Sequence, residues 1–310
     1  MQRILWHYKA RRIASFLFGL ALLSNAIFAE ESFVPRLASP VLGWVLTAGG
    51  TRAMEIAGIA ESPRTGSEVV LPAAAQHLWS APDAHAALVQ AGEGLHLLRS
   101  GAEPERIAEI PAGTDVSAAW DRGSSAVVAC WATVCRAWGS VDTRWEAPAG
   151  AVVLAYSVEA GLAIAVGDQA EWRNGNGVVA LPVRPLAAAF RPGTQELWTA
   201  GPAGGLTMWT SEGSRTVEAG AVPEPVGLAM AADGSALFIV NAEGLGAKYG
   251  IASQQTESVE VGDAVEGVWP APGAFAVRLH DSAKRAIAIW NGETGQTTWM
   301  PIAASAEVRQ

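Results

Sequence analysis

Short apolar segments, each followed by turn-forming residues, succeed one another along this chain. Typical segments are 126–128 (Ala-Val-Val) and 237–240 (Leu-Phe-Ile-Val), which lack polar alternation. Such short, uniformly apolar runs are typical of strands that are buried on both faces. Pro, Asp and Gly beside them, as in 231–234 (Ala-Ala-Asp-Gly), provide the backbone angles that tight turns need. The pattern predicts an all-β protein.

One short phrase, an apolar residue followed by Pro or once by Gly, recurs at steps of 34 to 41 residues. Its first residues are Leu71, Ile110, Ala147, Leu181, Val222, Val261 and Met300. A second column of large apolar residues keeps the same period and comprises Trp79, Trp120, Tyr156, Phe190, Met230 and Trp269. We interpret both columns as packing positions between stacked units. A period near 40 residues built from four strands is typical of a β-propeller.

We therefore predict a single β-propeller domain of four-stranded blades over residues 30–310. Seven blades are expected, with six as the alternative if the first blade does not close. The first blade is the weakest, because its second strand is clear at 39–46 whereas its inner strand rests on Leu37 alone. The approximate blades are 33–72, 73–111, 112–148, 149–182, 183–223, 224–262 and 263–301.

Two segments resemble a known repeat. Residues 285–295 (Arg-Ala-Ile-Ala-Ile-Trp-Asn-Gly-Glu-Thr-Gly) resemble the third strand and following turn of a WD40 or YVTN-type bacterial propeller repeat. Residues 230–240 resemble the Ser-Pro-Asp-Gly segment of YVTN repeats. The Gly-His of WD40 repeats is absent, and Asn291 stands where their Trp-Asp would have its Asp. The resemblance implies the propeller fold, with binding as the commonest role, although fold does not fix function.

The N-terminal 29 residues have the features of a secretory signal. Four basic residues precede an apolar run at 13–28, and Ala29 is a small residue suited to cleavage. We predict export to the periplasm or the medium, with an uncleaved single-span anchor as the alternative. Removing this segment changes the formal net charge from −9 to −13, because it holds four basic and no acidic residues. Such acidity argues against nucleic acid or anionic membranes as partners. We expect a monomer.

The two cysteines, Cys130 and Cys135, flank a short apolar hairpin. If Ala132 and Thr133 form its turn, the two cysteines lie directly opposite each other at a non-hydrogen-bonded position. That spacing suits a disulfide, and an exported protein meets an oxidising compartment. The sequence predicts a disulfide between them. The C-x4-C spacing does not match the C-x-x-C of redox enzymes.

Established catalytic and metal motifs are missing from the sequence. There is no G-x-S-x-G, no P-loop, no H-E-x-x-H and no calcium loop. His77, His85 and His96 fall in one blade, but at places from which they cannot converge on one metal. We predict no catalytic residue, metal or cofactor.

Charged residues concentrate on one part of the predicted channel mouth. Arg184, Glu224 and Asp263 share one offset, six residues before the second-column residue of their blades, and His280 and Asp281 are expected in a neighbouring loop. We predict that this rim of a non-enzymatic scaffold binds a protein or peptide partner.

Two other functions remain open. One is a hydrolase, lyase or lactonase-type propeller enzyme that uses the carboxylates and His280 of this rim. The other is a carbohydrate-binding propeller that uses exposed Trp131 or Trp145.

Overall fold

The computed structural model describes residues 40–301, apart from 48, 218–221, 263–264, 273–275 and 282–285. The predicted signal peptide and Leu37 lie outside the described residues. Within these limits 27 strands form seven antiparallel sheets, and no helix is present. The predicted all-β, seven-bladed propeller is confirmed.

Each sheet is built from strands that are consecutive in the chain. Sheet 1 holds β1 (Val41–Leu46), β2 (Arg52–Ile59) and β3 (Ser62–Val70). Sheet 2 holds β4 (Ala75–Ser80), β5 (Ala86–Ala91), β6 (Gly94–Arg99) and β7 (Glu105–Glu109). Sheet 3 holds β8 (Val116–Trp120), β9 (Ala126–Trp131), β10 (Val134–Gly139) and β11 (Thr143–Glu146). Sheet 4 holds β12 (Val152–Ser157), β13 (Gly161–Val166), β14 (Gln169–Asn174) and β15 (Gly177–Leu181).

The remaining three sheets repeat the same meander. Sheet 5 holds β16 (Ala187–Phe190), β17 (Leu197–Ala200), β18 (Leu206–Thr210) and β19 (Gly213–Val217). Sheet 6 holds β20 (Pro225–Met230), β21 (Ala236–Asn241), β22 (Leu245–Gly250) and β23 (Thr256–Glu260). Sheet 7 holds β24 (Gly267–Ala271), β25 (Ala276–Asp281), β26 (Ala286–Asn291) and β27 (Thr297–Pro301).

The sheets are arranged as a closed ring around a central channel. The first strands of sheets 3 to 7 contact one another in order and form the inner wall. The ring closes between sheets 7 and 1, because β27 lies beside β3 and one apolar cluster joins Leu42 and Ile56 to Ile287 and Ile289. Asn291 of sheet 7 also donates from Nδ2 to Glu61 Oε1 of sheet 1, at 2.6 Å. Sheet 1 is therefore a blade of the ring.

Sheet 1 differs from the others because three strands, in the order β1-β2-β3, make up its described part. The hydrogen bonds of its turns show which position is missing. The Leu71 N–H donates to Thr51 O in the β1–β2 connection, as the Ile110 N–H donates to Glu93 O between the second and third strands of sheet 2. β1 thus occupies the second position of its blade, as the sequence predicted. No described residue fills the inner position.

The apolar residues of the repeated phrase are buried between or beneath these sheets, which explains their period. All seven first members of the repeated phrase have under a tenth of their surface exposed. Between sheets 6 and 7, the rings of Phe238 and Trp290 stack with centroids 4.3 Å apart. Burial of such large rings is among the strongest stabilising contributions that a side chain can make.

The cysteine pair has the predicted register. Cys135 lies opposite Cys130 on neighbouring strands β10 and β9, with a Cα–Cα distance of 4.0 Å, and the two form a disulfide. Ala132 in the turn between them has a φ of 48°, in the left-handed region that two-residue hairpin turns require. Both cysteines are buried in the apolar cluster between sheets 3 and 4.

Candidate functional site

One end of the ring, which we call the mouth face, carries the turns between second and third strands and the connections between sheets. Hydrogen bonds from the end of an outer strand to the turn of its own sheet recur at this face. The donors and acceptors are Leu71 N to Thr51 O, Ile110 N to Glu93 O, Ala147 N to Thr133 O and Val261 N to Gly244 O, at 2.9 to 3.0 Å. The donor in each case is the backbone N–H of the apolar residue in the repeated phrase. The repeated phrase therefore holds the turns of the mouth face in place.

Two of the predicted rim residues lie on this face. Arg184 is exposed and donates from Nη1 to Gly167 O in the neighbouring turn at 2.5 Å. Glu224 is exposed, and its N–H donates to Pro202 O at 2.8 Å. Its φ of 49° is unusual for a residue other than glycine. No ion pair joins Arg184 to Glu224, so the structure places both on one face without pairing them.

The other rim residues are only partly located. Asp263 lies outside the described residues. His280 and Asp281 form the last two positions of β25, in register with Gly267 and Ala286 respectively, rather than in a loop as the sequence suggested. The strand continues further toward the mouth than the hydrophobic pattern indicated, because the pattern ended at the polar residues.

The two tryptophans of the carbohydrate hypothesis are half-buried and pack against other rings. Trp131 stacks on Trp138 with centroids 5.8 Å apart, and the Arg136 guanidinium lies 5.5 Å from the Trp138 ring. Trp145 meets Tyr156 edge-on at 6.4 Å. Part of each indole is therefore occupied by intramolecular contacts.

A cavity of about 200 Å³ occupies the channel between the inner strands. Its wall includes every member of the second apolar column, namely Trp79, Trp120, Tyr156, Phe190, Met230 and Trp269. The Trp120 Nε1 donates to Trp79 O at 2.8 Å, which links sheets 2 and 3. From the sequence we interpreted this column as packing alone, but its residues, five of them aromatic, also line the cavity.

Two arginines that the sequence analysis did not select lie in this central region. Arg122 follows the inner strand of sheet 3, lines the cavity, and donates from Nε to Met230 O of sheet 6 at 3.0 Å. Burial lowers the pKa of Arg122, whereas the nearby carboxylates of Asp121 and Asp233 act in the opposite direction. This side chain therefore crosses the channel and has acidic neighbours.

Arg278 is the second of these arginines and has only 4% of its surface exposed. Its Nη2 donates to Pro270 O at 3.0 Å and to Ser80 O at 3.3 Å, whereas its buried Nε has no partner. Burial, and then the positive charge of Arg122, lowers the pKa of Arg278 to about 9. No carboxylate of a described residue pairs with it. Arg278 interrupts the apolar run of β25, and this was the sequence signal that could have revealed it.

A groove of about 280 Å³ adjoins the channel beside β1. β1, the inner strand β4 of sheet 2 and the first two strands of sheet 7 supply most of its walls, and Arg278 lines it. Trp44, His77 and Trp269 are among the other lining residues. The groove therefore lies at the inner edge of sheet 1, where the other blades have a fourth strand.

The cavity and the groove are suited to bind a ligand through apolar contacts and through hydrogen bonds donated by the two arginines. Among the residues that the structure describes, no group of three or more His, Cys, Asp or Glu side chains is placed to hold a metal ion. The same part of the chain contains no helix that is long and apolar enough to cross a membrane.

Comparison with known proteins extends the description of the fold. No protein-family model and no curated protein matches this sequence. Among the solved structures with a similar fold is that of a functionally unknown protein from Desulfotomaculum acetoxidans. The two chains share 12% identity with a TM-score of 0.59, over 84% of this chain and 95% of the other. At this identity the similarity shows the fold alone: the protein is a seven-bladed β-propeller.

Proposed function

We propose that this protein is an exported, non-enzymatic propeller that binds a protein or peptide partner through its mouth face. The observation that carries the proposal is the set of recurring hydrogen bonds that hold the turns of this face to the outer strands. A surface that is already ordered loses less conformational entropy on binding than a mobile one. Propellers commonly supply such rigid scaffolds for loops.

Charged groups on the mouth face provide contacts for a polar partner. The Glu224 side chain is exposed, while its backbone is anchored to Pro202. The Arg184 guanidinium is exposed too, but one nitrogen is held by Gly167. Exposed charges at an interface rim mainly affect association rate and specificity. The two residues are therefore expected to select the partner.

The remaining features of the proposal concern export and repeat type. The disulfide between Cys130 and Cys135 supports an oxidising compartment. The WD40/YVTN-like assignment is supported by the turn after β26, where Asn291 Oδ1 accepts hydrogen bonds from Glu293 N at 2.9 Å and Thr294 N at 3.4 Å. Asn291 thus closes this turn through its side chain, as a turn aspartate can.

A pull-down from the source cell envelope tests the partner site. The mature tagged protein is compared with an Arg184→Ala/Glu224→Ala variant and with an Arg99→Ala/Glu212→Ala control, which changes exposed charges away from the mouth face. We expect the mouth variant to lose about tenfold or more of a captured protein, because two polar contacts of 0.5–1.5 kcal/mol or more are removed. The control should retain it. Equal recovery by all three proteins would remove the mouth face from the proposal.

A further inference from the structure

The inner edge of sheet 1 offers backbone groups for strand addition. In the described residues β1 has β2 on one side and no strand on the other. One of its outward groups, the Trp44 N–H, donates to Ser80 Oγ at 3.2 Å. Trp44, Val45 and Leu46 line the groove along this edge. An exposed strand edge is a template for pairing with another extended segment.

The charge of the groove is unbalanced. Arg278 is buried, hydrogen-bonded only to two carbonyl groups, and has another arginine, Arg122, as its electrostatic neighbour. Its Nη1 lies against Gly43 of β1, where a β-carbon would collide with the guanidinium. A guanidinium presents its donors in a fork that matches a carboxylate. A buried cation without an anion is costly, so a carboxylate is the complementary group.

The other walls suit an extended peptide. Trp44, Trp269, Leu78 and Ile287 give apolar surface, and Gln76 and His77 lie on the part of β4 nearest the mouth face. The volume of about 280 Å³ lies just below the roughly 300–1,000 Å³ that ligand clefts occupy. A short segment of chain matches these dimensions and the open edge better than a free inorganic ion does.

We propose that this groove binds an extended peptide segment, which pairs with β1 as a fourth strand and places an Asp or Glu carboxylate against Arg278. The site is distinct from Arg184 and Glu224 on the mouth face. Backbone pairing provides affinity that depends little on sequence, and the carboxylate fixes the register.

A displayed library of random heptapeptides, selected on the immobilised mature chain, tests this inference. We expect enrichment of peptides with one acidic position among apolar and β-branched residues. Replacing that Glu by Gln in a selected peptide should weaken its binding about tenfold or more, because a hydrogen-bonded charge pair is lost. This readout uses the unaltered protein and is therefore independent of whether a variant folds. Failure to enrich any peptide, or no effect of Glu→Gln, would overturn the proposal.

Two protein variants locate the selected peptide. Arg278→Met should lose the preference for the acidic peptide over its Gln version, whereas Arg52→Met, which removes an exposed arginine paired with Glu68, should keep it. The Arg184→Ala/Glu224→Ala variant should bind as the unaltered chain does. Loss of binding in that variant would place the peptide on the mouth face and overturn the groove assignment, while leaving the function proposed above intact.

A photoreactive benzophenone amino acid in place of Gln76 identifies the occupant. Gln76 is exposed and lines the groove. Irradiation of the full mature chain with the selected peptide should yield a cross-link to that peptide. A cross-link to residues 30–39 or 302–310 of the same chain would instead show that the chain fills its own groove, and would overturn the proposal.

Discussion

The seam between sheets 6 and 7 and the seam at sheet 1 come from the same repeat but are built differently. Between sheets 6 and 7 the inner strands β20 and β24 are in contact, and Phe238 stacks on Trp290. At sheet 1 no described strand occupies the inner position and a groove borders β1. The Arg278 guanidinium extends to Ser80 of sheet 2 and Gly43 of sheet 1. Apolar packing joins the blades at both seams, and at sheet 1 the Arg278 guanidinium also links three sheets.

The two seams are expected to contribute differently to the stability of the ring and to the recognition of a ligand. Apolar side chains that exclude water stabilise a seam in proportion to the area they bury, about 25 cal/mol per Å². A buried guanidinium adds little net stability, because desolvation offsets its hydrogen bonds. The guanidinium does make recognition directional, since its N–H groups donate only to acceptors that are correctly placed. We call the seam between sheets 6 and 7 the complete seam and the seam at sheet 1 the incomplete seam. We therefore expect the complete seam to dominate the stability of the ring and the incomplete seam to be its adaptable part.

The largest expected effect on stability comes from removing a large side chain from the complete seam. Phe238→Ala should lower the free energy of unfolding by about 3–5 kcal/mol, because it leaves a cavity beneath Trp290. Leu42→Ala at the sheet 1 seam should cost about 2 kcal/mol, at the low end for a buried leucine, because the adjoining groove lets neighbours relax. Urea unfolding followed by tryptophan fluorescence measures both. Equal losses would show that the two seams are packed alike.

A matched pair of serines compares hydrogen bonds at the two kinds of seam. Ser80 Oγ accepts from the Trp44 N–H of sheet 1 at 3.2 Å, and Ser117 Oγ accepts from the Val153 N–H of sheet 4 at 2.9 Å. Ser80→Ala and Ser117→Ala should each cost about 1–3 kcal/mol, because a buried N–H is left without a partner. Urea unfolding of the two variants provides the measurement. A neutral Ser80→Ala would mean that water replaces the hydroxyl in the groove, and that the incomplete seam is wet.

The smallest effect on stability should come from removing the disulfide of sheet 3. Cys130→Ser/Cys135→Ser removes a disulfide that closes a short loop, with a sequence separation of 5. A short loop restricts the unfolded chain little, so we expect a loss of about 2 kcal/mol at most. Thermal unfolding by circular dichroism tests this. A loss larger than that of Phe238→Ala would show that the hairpin of sheet 3, and not apolar packing, limits the stability of the ring.

Much of the fold could be predicted from the sequence because it depends on local repetition. The repeated phrase marks the ends of outer strands, and its residues recur whenever a blade must bury the same edge. The register of Cys130 and Cys135 was also predictable, since the turn between them is only a few residues long. The inner strand of the first blade, which the sequence places at Leu37, lies outside the described residues.

The candidate site was only partly predictable. Arg184 and Glu224 were placed on the mouth face by their offset from a repeated column, which is a local property. Arg122 and Arg278 were not selected, because their partners Met230 and Ser80 are 108 and 198 residues away in the chain. Nothing in the hydrophobic pattern relates positions that are so far apart.

By itself, then, the sequence determined the all-β class, the period and the hairpin disulfide, and it favoured seven blades over six, because each follows from residues within the repeat. Only the tertiary structure decided that one aromatic column lines the channel, that two guanidiniums occupy the central region, and that a groove borders β1. These features arise when the ring closes and brings sheet 7 against sheets 1 and 2. Ring closure is a long-range event whose contacts no local spacing records.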